Sequence, residues 1–585
     1  MRGTGSRLHA GDFGGGAGGA DRLVVRGSNR AYVVFVLFAI FAVFIFIRLF
    51  YLQVIVAPQY TAQATASHTV TVTEEPRRGT IYDRNGNVLA ISVDATTIYA
   101  NPSEITDPEG TAAQIASVLG GSASDYLSKL QAQSGSTFTY IKQKADVDVA
   151  QQLKSLNLTG IYFLSDTRRE YPYGEIGGQI IGACNIEVDQ EAGREYYSGI
   201  TGLEYYYNDV LSGTPGYYEA EVGADGTPIA GGLHESQPAV QGQDIVISID
   251  IDFQQALEES LKAGLEKLGV NSGTSVVMDG GTGEIYAAAS LPLFNPADRS
   301  TVEEGATSLK AVSNLFEPGS IFKTVSAMSI LETNTMGPDD TIFCPASITA
   351  DGYTISDAHE RSDATYSLRQ IIDQSSNVGI SLSTEKMGFE ELYNHILTYN
   401  LNSLTGIDYP GEQLGYLLPF DSWSRVTGYN VSFGQGISVN AMQMVRFYGA
   451  LVNDGVECTP HFLIRMPESN TVPTYDTVDV VDNKDAIPQM TSMLKTVVTD
   501  GTGTGAAISG YNVAGKTSTA QIYDETNGGY RQGVSNLCFT GFIADSNSKL
   551  VCFVGADEVA SNSTVTPIFK DIMTEAVSRY NITSK

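Results

Sequence analysis

The segment from Ala31 to Ile47, AYVVFVLFAIFAVFIFI, runs seventeen residues without a charge, and after Arg48 the apolar character resumes through LFYLQVIVA. At a rise of about 1.5 Å per residue, a helix of this length reaches across a hydrocarbon core of about 30 Å. No small-x-small cleavage site follows, and the run is long for the core of a signal peptide, so it is expected to stay as an anchor rather than be removed. A buried core helix is the structural alternative. Arg22, Arg26 and Arg30 precede the run, and apart from Arg48 no Lys or Arg follows until Arg77. This asymmetry predicts a cytoplasmic N-terminus, a single-pass protein of the cell membrane, and an extracytoplasmic bulk.

The 585 residues suffice for several cores. The glycine-rich tail GDFGGGAGGA (residues 11–20) lacks the apolar content to fold and is expected to be disordered. A net charge of −31 excludes the basic footprint that nucleic-acid binding needs. The five cysteines, Cys184, Cys344, Cys458, Cys538 and Cys552, form no Cys-x-x-Cys pair, and His359 and His395 stand alone. Neither a disulfide framework nor a zinc site is supported, and no metal or cofactor is expected.

After the anchor, Ile81 and the run Val88 to Ile91 flank Arg84-Asn85-Gly86-Asn87, which predicts a hairpin with a type I′ turn. Amphipathic segments follow near residues 111–130 and 147–156. In GITGLEYYYNDVLSGTPG (residues 199–216), Leu203, Tyr206, Tyr207 and Val210 recur at helical spacing, which predicts one helix with its tyrosines in a core. Glu204 is expected to pair with Arg78 or Arg84. The polar stretch IAGGLHESQPAVQGQ (residues 229–243) reads as a boundary. Beyond it come a strand in DIVISID, a helix from about Phe253 to Leu268, and a strand-turn-strand over residues 274–290. A last hairpin turns at Ser546-Asn547, and the final helix from Pro567 to about Arg579 carries the stripe Ile568, Ile572 and Ala576. Strands at both ends of a region with a helical middle predict an α+β domain whose terminal segments share one sheet. The expected division is a cytoplasmic tail (1–30), a transmembrane helix (31–56), a region up to the polar boundary (57–240) and a C-terminal domain (241–585).

In EPGSIFKTVSAMSIL (residues 317–331), Pro318 suits a helix start, and Ile321, Val325 and Met328 anchor the helix. Ser320 and Lys323, three apart, then share a face. A serine nucleophile needs a base, and a neutral lysine amine can serve. Free lysine titrates at about 10.4, so neutrality near pH 7 requires a differential of about 4 kcal/mol; burial can supply it and a second nearby cation helps, so another lysine is expected at the same cleft. An isolated Ser-x-x-Lys is equally compatible with an ordinary N-cap. Two further motifs follow in order: Ser375-Ser376-Asn377 in DQSSNVGIS and Lys516-Thr517-Ser518 in VAGKTSTAQ, the latter expected on a strand.

Ser-x-x-Lys, Ser-x-Asn and Lys-Thr-Gly in this order resemble the signature of the penicillin-recognising serine acyltransferases. The anchor, RRGTIYDRNGNVLA and GITGLE narrow the resemblance to the class B penicillin-binding proteins, and FEPGSIFK and SFGQGISVN (residues 432–440) look most like their division and sporulation branch. The resemblance implies a transpeptidase domain of an antiparallel sheet packed with helices (241–585) on an elongated, non-catalytic pedestal (57–240), and a peptidoglycan D,D-transpeptidase without cofactor or metal, acting in cell-wall synthesis at the septum and trapped by β-lactams. Ser320 would attack the penultimate D-alanine of a stem peptide, Lys323 would take its proton, and Ser375 would relay a proton to the leaving amine. Asn377 would hold the substrate amide, and Lys516 and Thr517 its terminal carboxylate. The backbone N–H groups of Ser320 and Thr519 would form the oxyanion hole. Implied partners are a polytopic membrane glycosyltransferase and other divisome proteins. Ser518 stands where the family carries glycine, and it is expected to narrow the cleft or hydrogen-bond within it. A D,D-carboxypeptidase or β-lactamase-type hydrolase, and a non-catalytic scaffold or β-lactam sensor, are the alternatives. The nearest approach to a deacylating Glu-x-x-Leu-Asn, EELYN (residues 390–394), reads as an amphipathic helix instead.

Overall fold

The computed structural model describes residues 29–60, 69–132, 137–189, 194–221, 234–300, 302–523 and 530–584. The glycine-rich tail and residues 229–233 of the boundary stretch lie outside them. The chain forms two compact units, residues 1–72 with 217–237, and residues 73–216 with 238–585.

In the first unit, the apolar run is a helix, Asn29–Phe50, continued by a wider turn over Tyr51–Ile55. Its side chains are exposed all round, with Phe35 at 71% and Phe46 at 75%. Such a surface suits lipid and excludes the buried-core alternative. The unit also holds a three-stranded sheet of Thr69–Glu74, Gly216–Glu221 and His234–Gln237.

The second unit begins with the predicted hairpin, Ile81–Tyr82 against Val88–Ala100. Its turn is not type I′, because only Gly86 takes positive φ (+89°) and Asn85 does not. The fully buried Asp83 carboxylate closes the loop instead. It accepts from the N–H groups of Asn85 (2.8 Å) and Asn87 (2.7 Å) and from the Asn87 side chain (2.9 Å). A side chain that satisfies the loop's own donors makes the second left-handed residue unnecessary. The predicted amphipathic segments are helices at Pro108–Leu119, Ala123–Ala132 and Val147–Ser155.

The tyrosine-rich segment departs from expectation. It forms two short helices, Gly202–Tyr206 and Asn208–Ser212, broken at Tyr207. Tyr205 and Tyr206 are exposed, while Leu203, Glu204 and Leu211 are completely buried. Glu204 lies between two guanidiniums: Arg78 Nε donates to it at 2.6 Å and Arg169 Nε at 2.7 Å. The pairing with Arg78 is as predicted, whereas Arg169 was not foreseen. Arg84 bonds Glu284 at 3.0 Å and stacks over the Tyr286 ring at 3.8 Å. Strand Ile245–Ile247 joins the hairpin's sheet, parallel to Ile81–Tyr82 and antiparallel to Leu463–Arg465.

The large sheet has five strands, β1 (Gly273–Asp279), β2 (Ile285–Leu291), β3 (Asn512–Tyr523), β4 (Tyr530–Ala544) and β5 (Leu550–Ala560), in the antiparallel order β2-β1-β5-β4-β3. The terminal segments thus share one sheet, as the pattern predicted. Side chains alternate between its faces. Leu550, Cys552, Val554 and Ala556 pack under helices α1 (Ile251–Leu268) and α4 (Thr566–Arg579), whereas Val551 and Phe553 face the core around helix α2 (Lys323–Glu332). Ile568, Ile572 and Ala576 are buried as predicted. Helix α2 is not amphipathic: all residues from Lys323 to Leu331 are buried, packed in one core with the surrounding helices and the inner face of the sheet. Its polar groups find internal partners, Thr324 with the Tyr448 hydroxyl (2.7 Å) and Ser326 with the Ser432 carbonyl (2.7 Å). All five cysteines are buried and free.

Burial alone would raise the Glu204 carboxyl's pKa, but Arg169 and Arg78 outweigh it and hold the carboxyl below the usual range. The group therefore stabilises the fold above the unfolded carboxylate pKa, and its contribution is lost as pH falls through the lower folded value. Glu204→Gln leaves two buried guanidiniums without a counter-charge and is expected to cost about 3–5 kcal/mol. Thermal unfolding should show a lowered Tm near pH 7, and the gap to wild type should shrink on acidification.

Candidate active site

The segment Glu317-Pro318-Gly319 brings the chain into a 3₁₀ turn, Gly319–Phe322, that runs directly into α2. Gly319 takes φ +54°, a conformation that favours residues without Cβ. Its N–H donates to the Gly434 carbonyl at 3.0 Å, and Phe316 exchanges two 3.0 Å backbone bonds with Val439. Ser320 is thereby presented at the end of a buried helix.

Lys323, fully buried one turn on, donates to the Ser375 carbonyl (2.6 Å) and to Asn377 Oδ1 (2.7 Å), and its Nζ lies 3.2 Å from Ser375 Oγ. Asn377 Nδ2 donates to the Ser356 carbonyl at 3.1 Å, which turns the amide oxygen towards the amine. The Ser375 hydroxyl accepts from Lys323 Nζ and donates to Ser320 Oγ. Ser375 Oγ is in turn 3.0 Å from Ser320 Oγ and 3.0 Å from Lys516 Nζ. Among the described residues no hydrogen bond joins Lys323 directly to Ser320; the Ser375 hydroxyl stands between them.

Ser375 connects helix Leu368–Asp373 to α3 (Asn377–Met387) and adopts φ +56° without being glycine. Such a conformation costs on the order of 1–3 kcal/mol and persists only where the surroundings impose it. It aims both the carbonyl and the hydroxyl of one residue at Lys323. The next residue, Ser376, caps α3 by accepting from the Gly379 N–H at 2.9 Å. Its hydroxyl donates to Asp357 at 2.8 Å, and Asp357 also accepts from the Val378 N–H (2.9 Å) and Arg361 Nε (2.6 Å).

Lys516 is fully buried on β3, in register with Thr540 on β4. Thr517 Oγ1 is 2.6 Å from Thr502 Oγ1. Ser320, Ser375, Asn377, Thr517 and Thr519 line a cleft of about 320 Å³ with Thr502, and residues 357–361 form part of its wall. The seven residues singled out in the sequence therefore converge. Asp357 and Thr502 were missed: neither sits in a recognisable local pattern, and both reach the site through loops that only the tertiary fold brings back. Ser518 lines the cleft, but its hydroxyl donates to the Pro318 carbonyl at 2.8 Å rather than bonding within the cleft.

Burial drives the Lys323 pKa well below the usual lysine range, the Lys516 charge drives it further, and Asp357 opposes both. Burial also lowers Lys516, to about 7, against the opposing Asp373 carboxylate. The second cation that the sequence argument required is in place, and the site can combine a neutral amine, a hydroxyl relay, an exposed serine and an anion-binding ammonium. In ¹⁵N-lysine NMR titrations Lys516 should have its midpoint near 7, and Lys323 should titrate well below the usual lysine range. In Lys516→Met, which removes the neighbouring charge, the Lys323 midpoint should move upward.

Comparison with known proteins gives concordant matches. The family described as penicillin binding protein transpeptidase domain matches residues 273–574, and the penicillin-binding protein dimerisation domain matches residues 73–247. Penicillin-binding protein PbpB of Mycobacterium tuberculosis is 31% identical, the match covering 92% of this chain and 82% of that protein. Peptidoglycan D,D-transpeptidase FtsI of Buchnera aphidicola is 27% identical over 95% of this chain and 96% of its own length. The crystal structure of penicillin binding protein 3 from Mycobacterium tuberculosis, complexed with aztreonam, superposes with a TM-score of 0.66 at 27% identity, covering 87% of this chain and 97% of that one.

Proposed function

The chain belongs to the class B penicillin-binding proteins, and from that premise we propose that it is a membrane-anchored peptidoglycan D,D-transpeptidase that cross-links stem peptides through an acyl-enzyme on Ser320. The observation that carries this reading is the chain of contacts from Ser320 Oγ through Ser375 Oγ to the buried Lys323 amine, with Lys516 on the same hydroxyl. Ser320 Oγ attacks the carbonyl carbon of the penultimate D-alanine, and its proton passes through the Ser375 hydroxyl to the Lys323 lone pair. The oxyanion forms against the backbone N–H groups of Ser320 and Thr519, each such donor being worth about 2.7–4 kcal/mol. As the C–N bond breaks, the proton returns through Ser375 to the leaving D-alanine amine. Lys516 and Thr517 receive the terminal carboxylate, and Asn377 holds the substrate amide and Lys323. The amine of a neighbouring stem then attacks the ester, the cross-link forms, and Ser320 is regenerated. A β-lactam acylates the same serine but keeps its leaving amine tethered, which supports its action as a trap.

We assign residues 57–240 to a non-catalytic pedestal and residues 241–585 to the transpeptidase domain, with the N-terminus cytoplasmic and the catalytic domain outside. The anchor and pedestal are the surfaces for a membrane glycosyltransferase and other divisome proteins, and the resemblance of FEPGSIFK and SFGQGISVN supports septal synthesis. A class A β-lactamase reading needs a deacylating Glu set in Glu-x-x-Leu-Asn. Glu390 and Glu391, in the nearest approach to that pattern, are exposed on helix Phe389–Thr398 and are not among the cleft residues, which disfavours that reading.

Labelling with fluorescent penicillin should give a covalent adduct in wild type that Ser320→Ala loses by about 10³-fold or more. Mass spectrometry with a D-Ala-D-Ala thioester analogue and a D-amino acid acceptor should show the transfer product. Release to water alone would replace the transpeptidase by a carboxypeptidase, and absence of any Ser320-dependent adduct would end the acyltransferase reading.

A further inference from the structure

Ser518 replaces the glycine that the third motif of the family normally carries, and its surroundings explain what the extra hydroxyl does. The residue is 4% exposed, and its Oγ donates to the Pro318 carbonyl at 2.8 Å. The other polar group of that peptide, the Gly319 N–H, donates to the Gly434 carbonyl at 3.0 Å. The Pro318–Gly319 peptide is therefore held on its carbonyl side by β3 and on its N–H side by the loop at Gly434. There is no slack in this sandwich. A Cβ on Gly319 would fall 2.5 Å from Ser518 Oγ and 3.2 Å from Ala520 Cβ, and one on Gly434 would fall 2.3 Å from the Gly319 carbonyl oxygen.

The held peptide is the one immediately before the Gly319–Ser320 peptide, whose N–H is one donor of the proposed oxyanion hole. The other donor is the N–H of Thr519, the residue after Ser518 on β3. One side-chain hydrogen bond therefore ties the two halves of the hole together. Oxyanion donors act through preorganisation, so a bond that restrains their separation acts on the acylation step and not on ground-state binding.

We propose that Ser518 is a positioning residue that clamps the nucleophile turn to the cleft strand and so holds the two oxyanion donors in register, an inference that rests on reading Ser320 as the acylated serine. The hydroxyl is engaged by the Pro318 carbonyl, so its role here is a tether and not a contact to substrate.

The test is stopped-flow acylation of the full-length protein in detergent by a chromogenic β-lactam, comparing wild type with Ser518→Ala and Ser518→Gly well below their melting temperatures. The acylation rate constant at saturation should fall about five- to tenfold in both variants, the rate equivalent of losing one neutral hydrogen bond, while the dissociation constant of the preceding complex changes less than about twofold. The clamp is overturned if both variants acylate at the wild-type rate, if the loss appears in the dissociation constant, or if Ser518→Gly acylates faster. A wild type that forms no Ser320-dependent adduct overturns the acyltransferase reading itself, an outcome distinct from a normal wild-type adduct with no effect at Ser518.

Discussion

Two lysine amines buried against one serine hydroxyl are the constraint around which this molecule is arranged. Removing an ammonium from water costs several kcal/mol, and two within reach of the same hydroxyl repel each other as well. The structure resolves the conflict by letting the amines differ. Lys323 donates to the Ser375 carbonyl and Asn377 Oδ1, and burial together with the Lys516 charge pushes its pKa well below the usual lysine range. Lys516 is offset by the Asp373 carboxylate and stays near 7. The left-handed backbone of Ser375, the cap of Ser376 on Asp357 and the fully covered helix α2 all follow from holding these groups in one place.

Rigidity elsewhere has the same source, buried charge paired with opposite charge. Glu204 between Arg78 and Arg169 welds the segments around residues 78, 169 and 204. The hairpin at Ile81–Tyr82 shares a sheet with Ile245–Ile247 and Leu463–Arg465, and Arg84 reaches Glu284 and Tyr286, so the dimerisation-type region and the catalytic domain form one unit. Asp250 adds another joint: it caps α1 and meets Arg579 (3.2 Å) and the Tyr580 hydroxyl (3.0 Å) at the end of α4. The sheet whose edge strand carries Lys516 is thereby braced on the face away from the cleft.

By itself the sequence determined the apolar N-terminal helix, the sheet built from both ends of the C-terminal region, the stripe of the last helix, and the seven motif residues that the fold brings together, five of them lining the cleft and two, Lys323 and Lys516, buried. These follow from local composition, from periodicity, and from three short motifs in a fixed order. What only the tertiary structure decided depends on groups distant in the chain. Asp83 displaced the type I′ turn because its carboxylate satisfies the loop, and packing on every side made α2 uniformly buried rather than amphipathic. Tyr205 and Tyr206 turned outward because Leu203, Glu204 and Leu211 took the interior, while Tyr207 packs against the core as expected and donates to Asp408 at 2.6 Å. Arg169, Asp357 and Thr502 entered their networks without a local signal. Ser518 was legible as a departure from the motif, but the direction of its hydroxyl was not. That direction is set by a strand and a turn some two hundred residues apart, and a contact between such segments leaves no periodicity in the chain to read.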